Sequence, residues 1–360
     1  MESHLEAAAH FTGQKITSVK PFGSGNINST FLAECAGGEK FVLQRINTKV
    51  FRRPDDVMRN MRVCTEHIRG KNKLFPGARR LEIPGIVHTN DGLDYWMAPE
   101  GDFWRALTLI EGAKSFDIIQ NQTHGREAGH ALGLFHRLLS DLPAGRLADT
   151  LPGFHITPGY LAHYEKALSN YRDVMTPETA FCRDFIAARK ALANVLEDAK
   201  GQGRLTVRVM HGDPKINNIL VEPETFKAVS VIDLDTVKPG LVHYDIGDCL
   251  RSGCNPMGEE TDEWFSVYFD TGYCRAILEG YLEAGKDFLT PDDFEFIYPS
   301  VRLIAFELGM RFFTDYLEGG VYFKTVFPEH NLRRALVQFK LTESIEGQEA
   351  AIREIVREGV

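Results

Sequence analysis

The run His211-Gly212-Asp213-Pro214-Lys215-Ile216-Asn217-Asn218, followed by the apolar stretch Val229-Ser230-Val231-Ile232 that ends on Asp233, constrains this chain more than any other feature. Val207-Arg208-Val209-Met210 and Ile219-Leu220-Val221 read as short strands on either side of the loop, and Lys227 to Ile232 as a strand returning beside the second. Such a hairpin carries Asp233 back to Asn218. The loop then gathers an acid, a cation and two oxygen ligands at one point. Asp213 is the candidate base and Lys215 the candidate cation. Asn218 and Asp233 offer oxygens to a hard divalent ion, which prefers such ligands and keeps some of its waters. A reaction in which a hydroxyl attacks while negative charge spreads over several oxygens needs all of these. Turn and cap chemistry accounts for single positions here, but not for their combination with flanking strands and a strand-terminal aspartate.

The outline His-x-Asp-x-Lys-x-x-Asn, with an Asp closing a buried strand, resembles the catalytic loop and metal-binding aspartate of kinases. That resemblance implies phosphoryl transfer from ATP with Mg²⁺. Asp213 then orients the incoming hydroxyl, Lys215 offsets charge on the transferring group, and Asn218 and Asp233 hold the metal. His211 reads as an organiser of the loop.

Composition limits the partners. With 360 residues, 43% hydrophobic and 25% charged, there is material for a large core or for two lobes sharing a cleft. A net charge of −9 argues against nucleic acid, since phosphate backbones call for basic surfaces. No uncharged stretch approaches a membrane-spanning length, and Met1-Glu2-Ser3-His4-Leu5-Glu6 is acidic, without a signal-type apolar run. The expectation is a cytoplasmic protein with no membrane attachment, acting on a small molecule; its oligomeric state is left open. Six cysteines without CxxC spacing speak against a zinc cage or disulfide framework. His130 and His136 also lack the four-residue spacing of a helical zinc pair.

From Ile16 to Asn47 the pattern is strand, glycine-rich turn, strand, turn, strand: Ile16 to Pro21, Ser29 to Glu34 and Lys40 to Ile46. Between the first two lies Phe22-Gly23-Ser24-Gly25-Asn26-Ile27-Asn28. Glycines permit the positive φ and close approach of a phosphate-covering loop, so Gly23, Ser24, Gly25 and Asn26 are candidate nucleotide contacts. A plain hairpin turn is the alternative, disfavoured by the position ahead of a kinase-like loop. Asp55 to Arg69 reads as a helix with Val57, Met61, Cys64 and Ile68 on one apolar face. Kinases pair a glutamate on such a helix with a strand lysine that grips the ATP phosphates. Here Gln44 stands where that lysine is wanted. Arg45 serves only if the strand shifts, because neighbouring side chains point to opposite faces. Gln44 is the candidate, and Glu66 stays open between a surface and a helix-pairing role. Ile86 to Trp96 holds the hairpin signal Asn90-Asp91-Gly92. Phe103 to Glu111 reads as a strand crossing out of the β-rich part, its end at Glu111 offering backbone groups to adenine. A boundary near Gly112 divides a nucleotide-binding lobe, 1–112, from a catalytic and acceptor-binding lobe, 113–360. The second is mostly helical: His124 to Leu139, Pro158 to Tyr171, Glu178 to Ala199, Thr261 to Ala284, Pro291 to Glu318 and Asn331 to Glu346.

This order resembles the aminoglycoside phosphotransferase and choline kinase family. The resemblance implies an α+β, protein-kinase-like bilobal fold, β-rich then mainly helical, with the active site in the cleft. Several longer strings look most like the N-acetylhexosamine 1-kinases: Phe22 to Asn28, Leu43 to Asn47, His211 to Leu220, Ile232 to Thr236, Asp245 to Asp248 and Arg311 to Phe323. That implies transfer from ATP to the anomeric hydroxyl of N-acetylglucosamine or N-acetylgalactosamine, with Gln44 a trait of the subfamily. It also implies that Arg311 and Tyr322 contact the sugar, through planar donors and a ring against the pyranose; a salt-bridged Arg and a core Tyr are the alternative. Asp235 has two open roles, support of the metal site or acceptance from a sugar hydroxyl. Asp245 resembles the buried aspartate that braces a catalytic loop, while Asp248 and Arg251 pair on the following helix. Another acceptor remains open, whether homoserine, choline, ethanolamine, a different sugar or an aminoglycoside. So does a noncatalytic nucleotide-binding regulator, whose mark is loss of the base or a metal ligand.

Overall fold

A computed structural model describes residues 3–23, 25, 27–74 and 79–359. Helix α1 (Ser3–Ala9) packs Ala7 and Ala8 against one face of a sheet whose first strands follow in antiparallel succession, β1 (Ile16–Pro21), β2 (Ser29–Cys35) and β3 (Lys40–Ile46). Phe41 and Leu43 alternate inward along β3, as the two-residue period of a strand dictates, and meet Ala33, Cys35 and Trp104. Helix α2 (Pro54–Leu74) buries Val57, Met61, Cys64 and Ile68, the expected face. Met61, Cys64 and Ile68 pack into the core of the helical lobe, so α2 belongs by contact to both lobes.

Strands β4 (Ile86–Val87) and β5 (Trp96–Met97) correct the hairpin expectation. A turn does form at Asn90-Asp91-Gly92, where the Gly92 N–H donates to Thr89 O at 2.8 Å. Its flanking strands nevertheless pair with β6 (Phe103–Thr108) and not with each other. Phe103 through Leu107 are all buried, a central-strand pattern, and β6 takes both partners. The sheet order is β1-β2-β3-β6-β4, with β5 also on β6. The ladder stops at Thr108, and Leu109 and Ile110 continue along the rim of the cleft.

Helix α3 (Gln122–Leu139) starts where the Asn121 side chain accepts from the His124 N–H at 2.9 Å. α4 (Thr157–Asn170), α5 (Pro177–Arg189) and α6 (Val195–Gly201) follow, and a 3₁₀ turn at Lys190–Asn194 breaks the single helix expected from Glu178 to Ala199. β7 (Arg208–Met210) and β8 (Ile219–Val221) flank the loop as expected. β9 (Ala228–Val231) pairs with β8, and β10 (Lys238–Gly240), an unanticipated strand with a central proline, pairs with β7. The chain closes with α7 (Val242–Gly253), α8 (Thr271–Gly285), α9 (Pro291–Glu295), α10 (Ile297–Leu317), α11 (His330–Gly347) and α12 (Glu349–Gly359). The segment expected as helix from Thr261 forms a 3₁₀ turn at Trp264–Ser266 and becomes α-helical only at Thr271, behind an Asp270 cap, and the one from Pro291 divides at Phe296. All six cysteines are buried and free. No described helix is long and apolar enough to cross a membrane.

Helices α3 and α8 approach backbone to backbone. A Cβ on Gly129 would overlap the Ile277 carbonyl oxygen, and one on Gly133 that of Tyr281. This contact sets Phe135 of α3 against His211 and His136 against Asp245 of α7. Gly129→Ala is therefore expected to destabilise the fold by about 1–3 kcal/mol, outweighing the helix-propensity gain. Gly159→Ala on α4, where nothing lies near the added methyl, should leave the urea midpoint unchanged or raised. Equal midpoints for the two variants would contradict the close helix contact.

Candidate active site

Strands β7 and β8 deliver the chain into and out of the loop 211–218. Gly212 adopts φ +91°, and a Cβ there would meet Thr236 Cβ and O at 2.8 Å, so only glycine fits. The loop hangs on Asp245 in the first turn of α7. His211 N–H donates to its Oδ2 at 2.6 Å and Gly212 N–H to its Oδ1 at 2.7 Å. His136 lies 2.8 Å from Oδ2 through Nε2, and its Nδ1 is 2.9 Å from the Tyr281 hydroxyl. Burial pushes the Asp245 carboxyl up, but His136, His211 and the His211 amide outweigh it and hold the group below the usual range. Buried His211 reaches Ile232 O at 2.9 Å through Nε2, tying the loop to the strand before Asp233. Its expected organising role matches this placement.

Asp213, Lys215, Asn218, Asp233 and Asp235 all line one cleft of about 520 Å³ between the sheet and the helices. Lys215 Nζ stands 3.3 Å from Asp213 Oδ2, and Asp213 first, then Glu259 and Asp233, hold the ammonium well above its usual range despite burial. Asn218 donates from Nδ2 to the Asp213 carbonyl at 2.7 Å and to Asp213 Oδ2 at 3.2 Å. That use of the amide N–H groups leaves Oδ1 as the atom Asn218 can offer a cation. Ile232 N–H donates to Asn218 O at 2.9 Å, bringing the end of β9 to Asn218. Asp233 then turns with φ +64° and ψ +59°, a left-handed conformation that aspartate tolerates better than most residues.

The charge balance of the cleft identifies where a cation belongs. Asp213 has Lys215, Asp235 has Arg105, Asp248 and Glu259 share Arg251, and Glu307 has His155. Among the described carboxylates lining the cleft, that of Asp233 alone lacks a cationic side chain within ion-pair distance. It opens to cleft water, and partial desolvation between the lobes, then repulsion from Asp235 and Asp213, raises its carboxyl above the usual carboxylate range. Asp233 and Asn218 Oδ1 fit a hard divalent cation. No described cluster of three His, Cys, Asp or Glu side chains is arranged to hold a metal unaided.

On the sheet side the cleft is lined by Gly23, Gly25, Gln44, Leu109 and Ile110. Gly23 has φ +74°, in keeping with its expected turn. Ser24 and Asn26 lie outside the described residues. Glu111 is exposed and is not among the lining residues. Arg45 turns to the opposite face and pairs with Asp102 at 3.1 Å, which closes the alternative of a shifted strand. Glu66 is on the surface. Gln44 Oε1 instead accepts from Arg105 of β6, a buried arginine that the sequence reading passes over.

At the other end, Arg311 projects from α10 among four rings, its Cζ 5.2 Å from the Phe154 centroid, 4.9 Å from Tyr160, 5.9 Å from Tyr322 and 5.5 Å from Phe323. Arg311 and Tyr322 both line the cleft. Tyr322 is held there by Asp315, whose carboxylate accepts from the N–H groups of Val321, Tyr322 and Phe323 at 2.9, 2.7 and 3.1 Å. One turn before Arg311, Glu307 meets His155 Nδ1 at 2.8 Å, and His155 Nε2 is 2.8 Å from Gly212 O. His155 and Glu307 have no local motif that marks them.

Both nitrogens of His155 face acceptors, which requires the imidazolium. Burial lowers its pKa, but Glu307 and the Gly212 carbonyl prevail and raise it above 6.5. A raised histidine adds stability below its unfolded pKa and loses it as pH climbs through the folded value. Wild-type stability is thus expected to decline on the alkaline side, measured by urea unfolding from about pH 5 to 9 across the ordinary histidine range. His155→Gln/Glu307→Gln should flatten that limb. Parallel curves for the two proteins would contradict the ion pair.

Comparison with known proteins places these observations. Residues 18–283 match the model of the phosphotransferase enzyme family. A microcompartment-associated aminopropanol kinase has a similar structure, at TM-score 0.66 and 16% identity over 97% of each chain. An aminoglycoside phosphotransferase from Alicyclobacillus acidocaldarius gives 0.65 and 15%, covering 98% of this chain and 96% of its own. The amicoumacin kinase hAmiN, solved with AMP-PNP and Ca²⁺, gives 0.62 and 14%, covering 95% and 91%. The α+β, protein-kinase-like bilobal fold is common to all of them. With the family match running from the first strand through the catalytic loop to α8, this chain belongs to the phosphotransferase enzyme family.

Proposed function

We propose that this protein is an ATP- and Mg²⁺-dependent small-molecule kinase that phosphorylates the anomeric hydroxyl of N-acetylglucosamine or N-acetylgalactosamine. Residues 1–112 form its nucleotide-binding lobe and 113–360 its catalytic and acceptor lobe. The glycine loop covers the phosphates, and the main chain past Thr108 meets the base. Asn218 and Asp233 would hold Mg²⁺, which would supply positive charge against the charge that develops on the phosphates. Asp213 orients the acceptor hydroxyl and takes its proton as the new O–P bond forms and the bond to ADP breaks. An anomeric hydroxyl is more acidic than an ordinary alcohol, so a carboxylate of ordinary basicity suffices. Lys215 offsets charge on the transferring group.

The observation that carries the acceptor class is the position of Arg311 within four rings. Such an aromatic enclosure takes a quaternary ammonium well, but here the chain's own guanidinium fills it. The nearby carboxylate, Glu307, is already neutralised by His155. Choline and polycationic aminoglycosides therefore meet repulsion where they need attraction. A neutral sugar bearing hydroxyl and amide oxygens meets donors and a ring, with Tyr322 to pack on the pyranose.

The test is initial rates of phosphate transfer from labelled ATP to N-acetylglucosamine, N-acetylgalactosamine, homoserine, choline and kanamycin, with the phosphorylated carbon read by NMR. Label at C1 of an N-acetylhexosamine is expected, and preferential labelling of a cationic acceptor would refute the acceptor assignment. Asp213→Asn should lower kcat by about 10²- to 10⁴-fold with Mg·ATP affinity retained. Turnover near that of the wild type removes Asp213 from the base role.

A further inference from the structure

Arg105 has no part in the chemistry above, yet its environment is specific. Its side chain is 0% exposed in the middle of β6, and a guanidinium is kept in such a place only when acceptors meet its N–H groups. Nε and Nη2 donate to Gln44 Oε1 at 2.9 and 2.7 Å, across the β3–β6 ladder. Nη2 also pairs with Asp235 Oδ1 at 2.5 Å, where Asp235 is 2% exposed. The second oxygen of Asp235 accepts from Asn28 Nδ2 at 2.6 Å, at the end of the glycine loop. A cation and an amide donor from the sheet lobe thus meet one carboxylate of the helical lobe. The backbone of the same segment is held too, by Asn60 of α2, which donates to Val237 O at 2.9 Å. Asp235 lies in the 3₁₀ turn Leu234–Thr236 that Asp233 initiates, so fixing the side chain of one fixes the turn that carries the other.

We propose that Arg105 is a positioning residue that couples the sheet lobe to the metal-binding turn through Asp235. It takes over the task of a strand lysine paired with a helix glutamate, for which this chain has Gln44 and an exposed Glu66. Gln44 and Asp235 hold the guanidinium between them. Asp235 is accordingly a link between lobes and not a sugar contact.

The inference rests on the reading of Asp233 as a magnesium ligand, so Asp233→Ala forms a separate arm. Calorimetric binding of Mg·AMP-PNP and the Mg²⁺ dependence of turnover are compared for wild type, R105M, R105K, D235N and R105M/D235N. R105M and D235N should each weaken Mg·AMP-PNP by about tenfold or more, and the double variant should be no worse than the poorer single, as for coupled neighbours. R105K should restore part of the loss, because lysine keeps the charge but cannot serve Gln44 and Asp235 together. The acceptor KM should stay unchanged. Removing both charges of a buried pair is tolerated better than removing one, so the double variant decides if a single fails to fold. A folded double variant with wild-type affinity and Mg²⁺ dependence, or losses that multiply across the two sites, overturns the proposal. Unchanged Mg²⁺ dependence in Asp233→Ala overturns the ligand reading instead.

Discussion

The carboxylate of Asp245 is the constraint on which the site depends. Two consecutive loop amides, those of His211 and Gly212, point at it, and left unmet each would cost about 1–3 kcal/mol. Asp245 is itself set by the first turn of α7 and by His136, and His136 is set by the close contact of α3 with α8. A packing fact between two helices is thereby passed, through one imidazole and one carboxylate, to the residue before Asp213.

The second constraint acts between the lobes. In the described structure the turn 233–237 is met from the sheet side by Arg105, Asn28 and Asn60. Three elements, β6, the glycine loop and α2, therefore converge on the segment bearing Asp233. Charge follows the same plan, each other described cleft carboxylate being matched by a cation while Asp233 has none within pairing distance. That pattern reserves the local field for a bound cation and leaves little negative charge at the Arg311 end.

What was legible in the sequence was local. Asp213, Lys215, Asn218 and Asp233 stand out because polar residues at fixed spacing interrupt apolar strands, and the hairpin that unites them is a short-range event. Arg105 was hidden because its meaning requires the β3–β6 register and a partner in the other lobe. His155 and Glu307 act across long separations from unremarkable surroundings. The turn at Asn90-Asp91-Gly92 formed as its residues dictate, but strand pairing was decided by the buried face of β6. α12 did carry a signal, with Ile352, Ile355 and Val356 buried at helical spacing.

Hydrogen exchange at the His211 and Gly212 amides, in wild type and in Asp245→Asn, tests the central claim most directly. If Asp245 holds the loop, both amides are protected in the wild type, and the substitution raises their exchange and lowers kcat together while the Mg·ATP affinity changes little. Amides that stay protected in Asp245→Asn, with turnover intact, would contradict the account, because the loop would then be held by something else.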